Sequence, residues 1–307
     1  MSDNIPSKKP VWLFSIAAFL NDLGFYSIFA VWPVFVTSVI GAPVTFLGFI
    51  DGLGDAFVSI SQAVSGLLSD RWKKRKVFIW LGYFFAFGAR IIYAASSAPW
   101  HLVPGRILDR SGKMRDAPRD AMVADITPRE RRAGAFGILR AADRAGAALG
   151  LLSSMILLGI LTYRELFLLA AIPSLIGSLI ILFFVKDYFK PDHLAPQFSF
   201  KFISRDLKIF TALSVVFTLG AFSDSFYILA AGKSGVPVYL VPIFYLMVLF
   251  FSSVLAIPFG KLSDKIGRRF VLAASFVLFM LMNLVFIFIS EFWWVFAAFI
   301  IYGVHVA

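Results

Sequence analysis

The sequence predicts an all-α protein that crosses a membrane many times and is built as two related halves. Three observations predict it. The 307 residues are 60% hydrophobic with a mean hydropathy of +0.84, and the apolar residues fall in runs of 20 or more, the length that crosses about 30 Å of hydrocarbon. A basic turn, Gly66-Leu-Leu-Ser-Asp70-Arg71-Trp-Lys-Lys-Arg75-Lys76, recurs 194 residues later as Gly260-Lys-Leu-Ser-Asp264-Lys-Ile-Gly-Arg268-Arg269-Phe270. Gly41-Ala-Pro-Val44 and Gly235-Val-Pro-Val238 keep the same offset of 194, and two anchors at one offset mark an internal repeat. Finally, 19 of the 29 Lys and Arg fall at the amino terminus or in alternate loops, and only Arg164 and Lys233 fall in the opposite loops. That asymmetry places the amino terminus and the even-numbered loops in the cytoplasm.

In chain order, a polar stretch of ten residues, with Lys8 and Lys9, leads into an apolar run, Val11–Val36, too long for a signal-peptide core, so the first helix is retained. The second span, Val44–Leu68, lies between the Gly41 turn and the first basic turn. Val77–Ser97, Trp100–Asp125, Ala133–Leu161 and Glu165–Val185 complete a first half over residues 1–185. Lys186–Asp206, polar and bearing Pro191 and Pro196, is a linker that is cytoplasmic after six crossings. Leu207–Ala231, Tyr239–Leu262, Phe270–Ser290 and Phe292–Ala307 make up residues 207–307. The last run has 16 residues, about 24 Å of helix, so the sequence predicts an incomplete second half, with the chain stopping in its tenth crossing.

Charges inside the spans are expensive in lipid and must face a partner or a cavity. Basic residues there are Arg90, Arg106, Arg110, Lys113, Arg115, Arg119, Arg140 and Arg144, against the acids Asp22, Asp51, Asp55, Asp109, Asp116, Asp120, Asp143 and Asp224. At about 100° per residue, Arg106, Asp109, Arg110, Lys113, Asp116 and Asp120 share a face of the fourth span. Arg115 and Arg119 point away from it and would snorkel, and Pro118 kinks that end. Arg140, Asp143 and Arg144 share a face of the fifth. The two faces are expected to meet, with Asp143 pairing Arg106 or Arg110. Asn21 and Asp22 in the first span answer Ser223 and Asp224 in the seventh, which predicts acids from both halves around one central site. Asp51 and Asp55 lie i, i+4 on the second. Burial in hydrocarbon disfavours a charged carboxylate, so each acid is a candidate to carry a proton.

The paired glycine-aspartate-basic turns resemble motif A of the major facilitator superfamily, roughly G-x-L-x-D-R-x-G-R-R. The first copy matches at Gly66, Leu68, Asp70, Arg71 and Arg75, with Lys73 and Lys74 where a Gly and an Arg are usual. The second matches at Gly260, Leu262, Asp264, Gly267, Arg268 and Arg269. Phe19-Leu-Asn21-Asp22, Ile50-Asp51-Gly-Leu-Gly-Asp55 and Leu108-Asp109-Arg110-Ser-Gly112-Lys113-Met-Arg115-Asp-Ala-Pro118-Arg119-Asp120 resemble one bacterial subgroup of it. The resemblance implies twelve helices in two six-helix halves, of which this chain resembles the first ten. It implies that Asp70 meets the positive amino-terminal end of a helix in the other half, as a latch that Arg71 and Arg75 extend, the partner lying in an eleventh helix. Arg106 loosely resembles the fourth-helix arginine of motif B, and Gly146-Ala-Ala-Leu-Gly150 keeps the glycines of motif C with Leu151 in place of its proline.

These readings converge on a multi-pass inner-membrane secondary transporter working by alternating access, monomeric, in contact with lipid, protons and a small-molecule substrate. Proton-coupled export is the first expectation. Transport of an anionic metabolite through the arginines of the fourth and fifth spans is the second, and a non-transporting receptor or assembly subunit the third. No cofactor is expected. His101, His193 and His305 are isolated, nothing has metal-ligand spacing, and no P-loop is present, so enzyme and nucleotide-driven pump readings are set aside. The basic charge is strung along one membrane face, which sets nucleic-acid binding aside.

Cysteines introduced at Ser38, Ser97, Thr127 and Ser199 test the topology in intact cells. Ser199 and Thr127 should react only after the membrane is permeabilised, and labelling of Ser199 from outside would overturn the predicted orientation.

Overall fold

The computed structural model describes residues 9–189, 204–233, 235–288 and 291–307. Much of the predicted linker, with Lys190, Pro191, Pro196, Ser199 and Lys201, lies outside the described residues, as do Lys8 and Ser290. Among the described residues there is no β-strand. The helices are α1 (Lys9–Phe29), α2 (Val44–Trp72), α3 (Lys76–Ala95), α4 (Pro99–Ser111), α5 (Asp116–Ile126), α6 (Arg132–Leu157) and α7 (Tyr163–Phe184). They continue as α8 (Arg205–Leu219), α9 (Asp224–Lys233), α10 (Val241–Ile266), α11 (Arg268–Phe288) and α12 (Phe292–Val306).

Three predicted spans are broken, each where the backbone chemistry requires it. The first stops at Phe29, resumes as a turn at Trp32–Val34 and runs into a π-helical segment, Phe35–Val39. Pro33 has no N–H to offer the Phe29 carbonyl four residues back. The fourth is α4 and α5 joined by a 3₁₀ segment, Gly112–Arg115, just ahead of Pro118. Gly112 lies against Gly82 of α3, where an added Cβ would come 2.7 Å from the Gly82 carbonyl oxygen. The seventh is α8 and α9, interrupted at Gly220, where Ser223 turns its hydroxyl away to α2.

The molecule is inside out compared with a water-soluble fold. Phe49, Ile160, Phe183 and Phe288 are exposed, while Asp51, Arg90, Arg115 and Arg119 are buried. Apolar surface faces outward and charged groups turn inward, as hydrocarbon demands. Among the described residues α1, α2, α3, α7, α10 and α11 are long and apolar enough to cross a membrane; α12 is apolar but shorter, and the other spans carry the charges or the breaks.

Apolar packing collects the helices into two groups. One core joins Ile28, Phe35, Leu47, Tyr93, Leu102 and Phe167, and a second joins Phe14, Ile79, Tyr83, Met122, Leu139 and Ile181, all from α1–α7 and the turn after α1. A third joins Tyr227, Phe244, Met282 and Phe299 of α9–α12. Between the groups, Ala30, Ala147, Leu151 and Leu249 form a small seam, and α9 packs on Trp32–Val34. These junctions lie towards the end of the bundle remote from the amino terminus.

The tightest helix pair is α1 on α6. A Cβ at Gly146 would come 2.3 Å from the Phe19 carbonyl oxygen, and one at Gly150 2.5 Å from that of Leu23. The glycines expected to allow close approach do so.

The internal repeat is written in the backbone as well. Among the described residues the positive-φ positions are Gly41 (74°), Lys73 (55°), Gly235 (82°) and Gly267 (94°), two pairs each 194 residues apart. Lys73 ends α2 in the left-handed region, where the second half has glycine. An L-residue there costs roughly 1–2 kcal/mol.

Lys73→Gly should therefore raise thermal stability by ~1 kcal/mol and Gly267→Lys should lower it. A change of the opposite sign in either melting curve would show that the turn is not strained. Gly146→Val should prevent α1–α6 packing, read as loss of folded protein in detergent, whereas Gly134→Val, with nothing near its missing Cβ, should be tolerated.

Candidate functional site

Where the two groups meet, a cavity of about 310 Å³ opens between α1, α2 and α4 on one side and α9 and α10 on the other. The i, i+3, i+4 rhythm of α4 delivers Arg106, Asp109 and Arg110 to it, the 3₁₀ segment that follows delivers Lys113, α2 delivers Asp55, and α9 delivers Asp224 at its first residue. Phe25, Tyr26, Phe29, Trp32, Tyr93 and Tyr245 supply most of its apolar surface.

Asp51 lies just behind this wall and is 1% exposed. Its carboxylate pairs with Arg106, accepts the Trp32 indole N–H at 3.2 Å, and accepts the Ser223 hydroxyl at 2.7 Å. The Arg106 guanidinium stacks 4.9 Å over the Trp32 ring. The Ser223 bond ties the two helix groups together through a charge. On the facing wall Asp224 accepts hydroxyls from Tyr245, at 3.1 Å, and from Tyr302. An aromatic chain closes the apolar side: Tyr245 lies 4.6 Å from Phe29 and 6.2 Å from Tyr26 between ring centroids. The Arg110 guanidinium and the Lys113 ammonium lie 5.4 and 5.7 Å from the Phe25 ring centre.

The other candidates fall into separate clusters. Asn21 is buried, donates to Asp22 at 3.1 Å and accepts from Ser174 at 3.0 Å, and Asp22 stands outside the cavity lining. By the 194-residue offset Asp224 answers Ala30, not Asp22, and eight residues of helix put Asp22 about 12 Å from the matching depth. Arg140 and Asp143 also lie away from the cavity. Arg140 bonds Asp120 at 2.9 Å and Asp143 at 3.2 Å. A carboxylate–guanidinium contact does link the fourth and fifth spans, but it is Asp120–Arg140, not Asp143 with Arg106 or Arg110. Asp116 and Asp120 leave the α4 face, and Arg115 and Arg119, expected to snorkel, are each 3% exposed. The cause is the 3₁₀ segment: 3.0 residues per turn against 3.6 rotates the helix beyond it by roughly 80° over four residues. Arg119 then bonds Asp120 at 3.0 Å, and Arg115 stacks 4.9 Å over Tyr83. Arg144 is exposed in a groove between α6 and α10.

The motif A copies differ. Asp70 ends on α2 and pairs with Arg75 at 3.0 Å, Arg75 also pairs with Asp125 of α5, and Asp187 accepts the Arg75 backbone N–H at 3.2 Å. These partners all belong to α1–α7 or the residues just after it. Gly66 lies 3.7 Å, by a built Cβ, from Ala117 of α5, and Arg71 is exposed. In the second copy Gly260 has open space, and Asp264, Arg268 and Arg269 are exposed and make no ion pair among the described residues.

Sequence pattern alone does not single out Ser223, Tyr245 and Tyr302 as partners of the cavity acids, or say what Arg90 does. Arg90 is wholly buried and donates to the Ala170 carbonyl at 2.8 Å, the Asn21 carbonyl at 3.2 Å and the Ser174 hydroxyl, joining α3, α7 and α1. A lone arginine in an otherwise apolar span is the one signal of it that the sequence carries.

Comparison with known proteins places this arrangement. A sequence profile of the Major Facilitator Superfamily matches residues 14–307. The chain is 35% identical over 295 residues to an uncharacterised MFS-type transporter of Methanocaldococcus jannaschii, covering 92% of this chain and 73% of that protein. It is 21% identical over 210 residues to an uncharacterised transporter of Buchnera aphidicola subsp. Schizaphis graminum, covering 68% of this chain and 53% of the relative. Among solved structures, the nucleoside transporter NupG superposes with a TM-score of 0.76 at 16% identity, over 97% of this chain and 79% of that one. A bacterial homologue of the human lysosomal transporter Spinster, in an inward-facing and unoccupied conformation, superposes with a TM-score of 0.68 at 16% identity, over 100% and 74%. The helices, the buried charges at the junction of two groups and these matches agree: the chain belongs to the major facilitator superfamily of membrane transporters.

Proposed function

We propose that the protein is a proton-coupled secondary transporter of the cytoplasmic membrane, working as a monomer, with residues 1–185 and 207–307 as its two moving halves and the cavity between them as the substrate site. The observation that carries this reading is Asp224. It lies at the seam of the halves, faces the cavity, and is held by two tyrosine hydroxyls with no cation in ion-pair range among the described residues. A carboxylate so placed in hydrocarbon is stable neutral or when met by a positive group. It therefore exchanges a proton or a solute charge as the cavity changes sides.

The contacts between the groups support an inward-facing arrangement when the amino terminus is cytoplasmic, the orientation that 19 basic residues at the amino terminus and in alternate loops favour. Ser223–Asp51 and α9 on Trp32–Val34 close the outer end. At the inner end Asp70 is engaged by Arg75 of its own half, and in this reading that pairing competes with the latch across the halves. Asp22 stands outside the lining, so of the first- and seventh-span acids expected around one central site only Asp224 faces the cavity. The anionic-substrate reading has its own support in Arg110 and Lys113.

In proteoliposomes Asp224→Asn should abolish accumulation driven by a pH gradient, in protein that remains folded in detergent. Unchanged driven accumulation would mean that another acid carries the proton. Ser223→Ala removes a hydrogen bond to a charged group, about 1.5–3 kcal/mol. It should shift the population towards outward-facing molecules by about tenfold or more, read as faster labelling of a cysteine at Asp55 from outside. Equal labelling would show that the Asp51 bond does not hold the outer end shut.

A further inference from the structure

The two walls of the cavity are electrostatically unlike. On the first-half wall Arg106 is spent on Asp51, and Asp55, which also lines the cavity, is exposed so that water can meet its charge. Lys113 has no carboxylate in ion-pair range among the described residues, and the nearest to Arg110 is Asp109 at 3.9 Å, the outer limit of such a contact. The Arg110 Nε–H is buried and has no acceptor among the described residues. Behind this wall a second, much smaller space is lined by Arg90, Arg110, Lys113 and Arg115 against the single carboxylate Asp109. Among the described residues Arg90 is bonded to neutral oxygens and makes no ion pair. The second-half wall has the opposite character. It offers Asp224 with Ser223, Ser225 and Tyr245, and no basic residue of that half lines the cavity. Aromatic faces, chiefly Phe25 and Phe29, lie between.

Each uncompensated charge away from water must be met by an opposite one. A simple anion would satisfy Arg110 and Lys113 and leave Asp224 unmet. A simple cation would satisfy Asp224 while adding charge opposite the arginine wall. Only a solute with both signs meets both walls. The 310 Å³ volume is at the small end of ligand sites, which run from about 300 to 1,000 Å³, so the solute is small. Building on the transport reading above, we infer that the substrate is a small zwitterion, an amino-carboxylate with an apolar side chain, its carboxylate on Arg110 and Lys113 and its ammonium on Asp224. The apolar side chain packs on Phe25 and Phe29.

Three matched sets of compounds test this in proteoliposomes carrying an internal pH-sensitive dye. They are the amino acids phenylalanine and leucine, their deaminated acids 3-phenylpropanoate and 4-methylpentanoate, and their decarboxylated amines phenethylamine and isoamylamine. The amino acids should drive saturable proton movement, with half-saturation at least tenfold lower than either other set. Lys113→Gln should raise the half-saturating concentration of the amino acids about tenfold, the loss of one charge-assisted contact, and Lys113→Arg should restore most of it. Acids as effective as the amino acids would overturn the inference in favour of an anion carrier, and amines as effective would overturn it in favour of a cation carrier. Silence from all three sets would also overturn it. A cysteine at Ser225 then separates the two readings. If its reactivity still switches sides under an imposed pH gradient, transport stands and only the zwitterion falls. If it does not switch, the transport reading falls as well.

Discussion

Charge in hydrocarbon governs this molecule. An ionised side chain facing lipid costs a few kcal/mol or more, so the acids and arginines of the spans turn inward, and the helices are arranged by which charges must meet. Asp51 is the centre of that arrangement. One carboxylate gathers Arg106 of α4, Trp32 after α1 and Ser223 of the second half. Removing one partner of such a buried pair typically costs about 3–5 kcal/mol. The cavity lies beside this hub because the helices that serve it cannot pack flush and still deliver four polar groups to one point.

The fold was legible because it is periodic. Twenty-residue apolar runs, the 194-residue repeat and the one-sided basic loops are all properties of long stretches, and long stretches average out local accidents. The breaks were not legible in the same way. Pro118 announced a distortion, but its effect appears one turn earlier, at Gly112–Arg115, because proline acts on the carbonyl four residues before it. That local change of pitch undid the helical-wheel assignment of Asp116, Asp120, Arg115 and Arg119, while Arg106, Asp109 and Arg110, upstream of it, kept their shared face, and Lys113, at its start, still reaches the cavity.

The site was half legible for a related reason. A charged residue in an apolar span advertises itself, so Asp55, Asp109, Arg110 and Asp224 could be named from sequence. Neutral partners do not. Tyr245, Tyr302 and Ser223 are ordinary residues of a membrane helix until the tertiary fold brings them to a carboxylate. The pairing of Asp22 with Asp224 failed because both follow a small polar residue, a local likeness, whereas the repeat itself sets them eight residues out of step. The two halves share a backbone down to their left-handed turns and have diverged in what they hang on it. The first carries the ion pairs, and the second sets Asp224 among aromatics.

Arg90 has a consequence of another kind. Its guanidinium binds two carbonyl oxygens and a hydroxyl, none of which takes up or releases a proton in the working range of a cell. An arginine itself does not lose its proton there. The positive potential it casts is therefore a standing bias, indifferent to pH, to the state of the acids and to whatever occupies the space in front of it. Because it bolts α1, α3 and α7 to one another, that bias belongs to a rigid body. In the transport reading proposed above, a rotation of the first half would carry the field along unchanged, so an anionic group resting on that half would feel the same attraction whichever way the molecule faced.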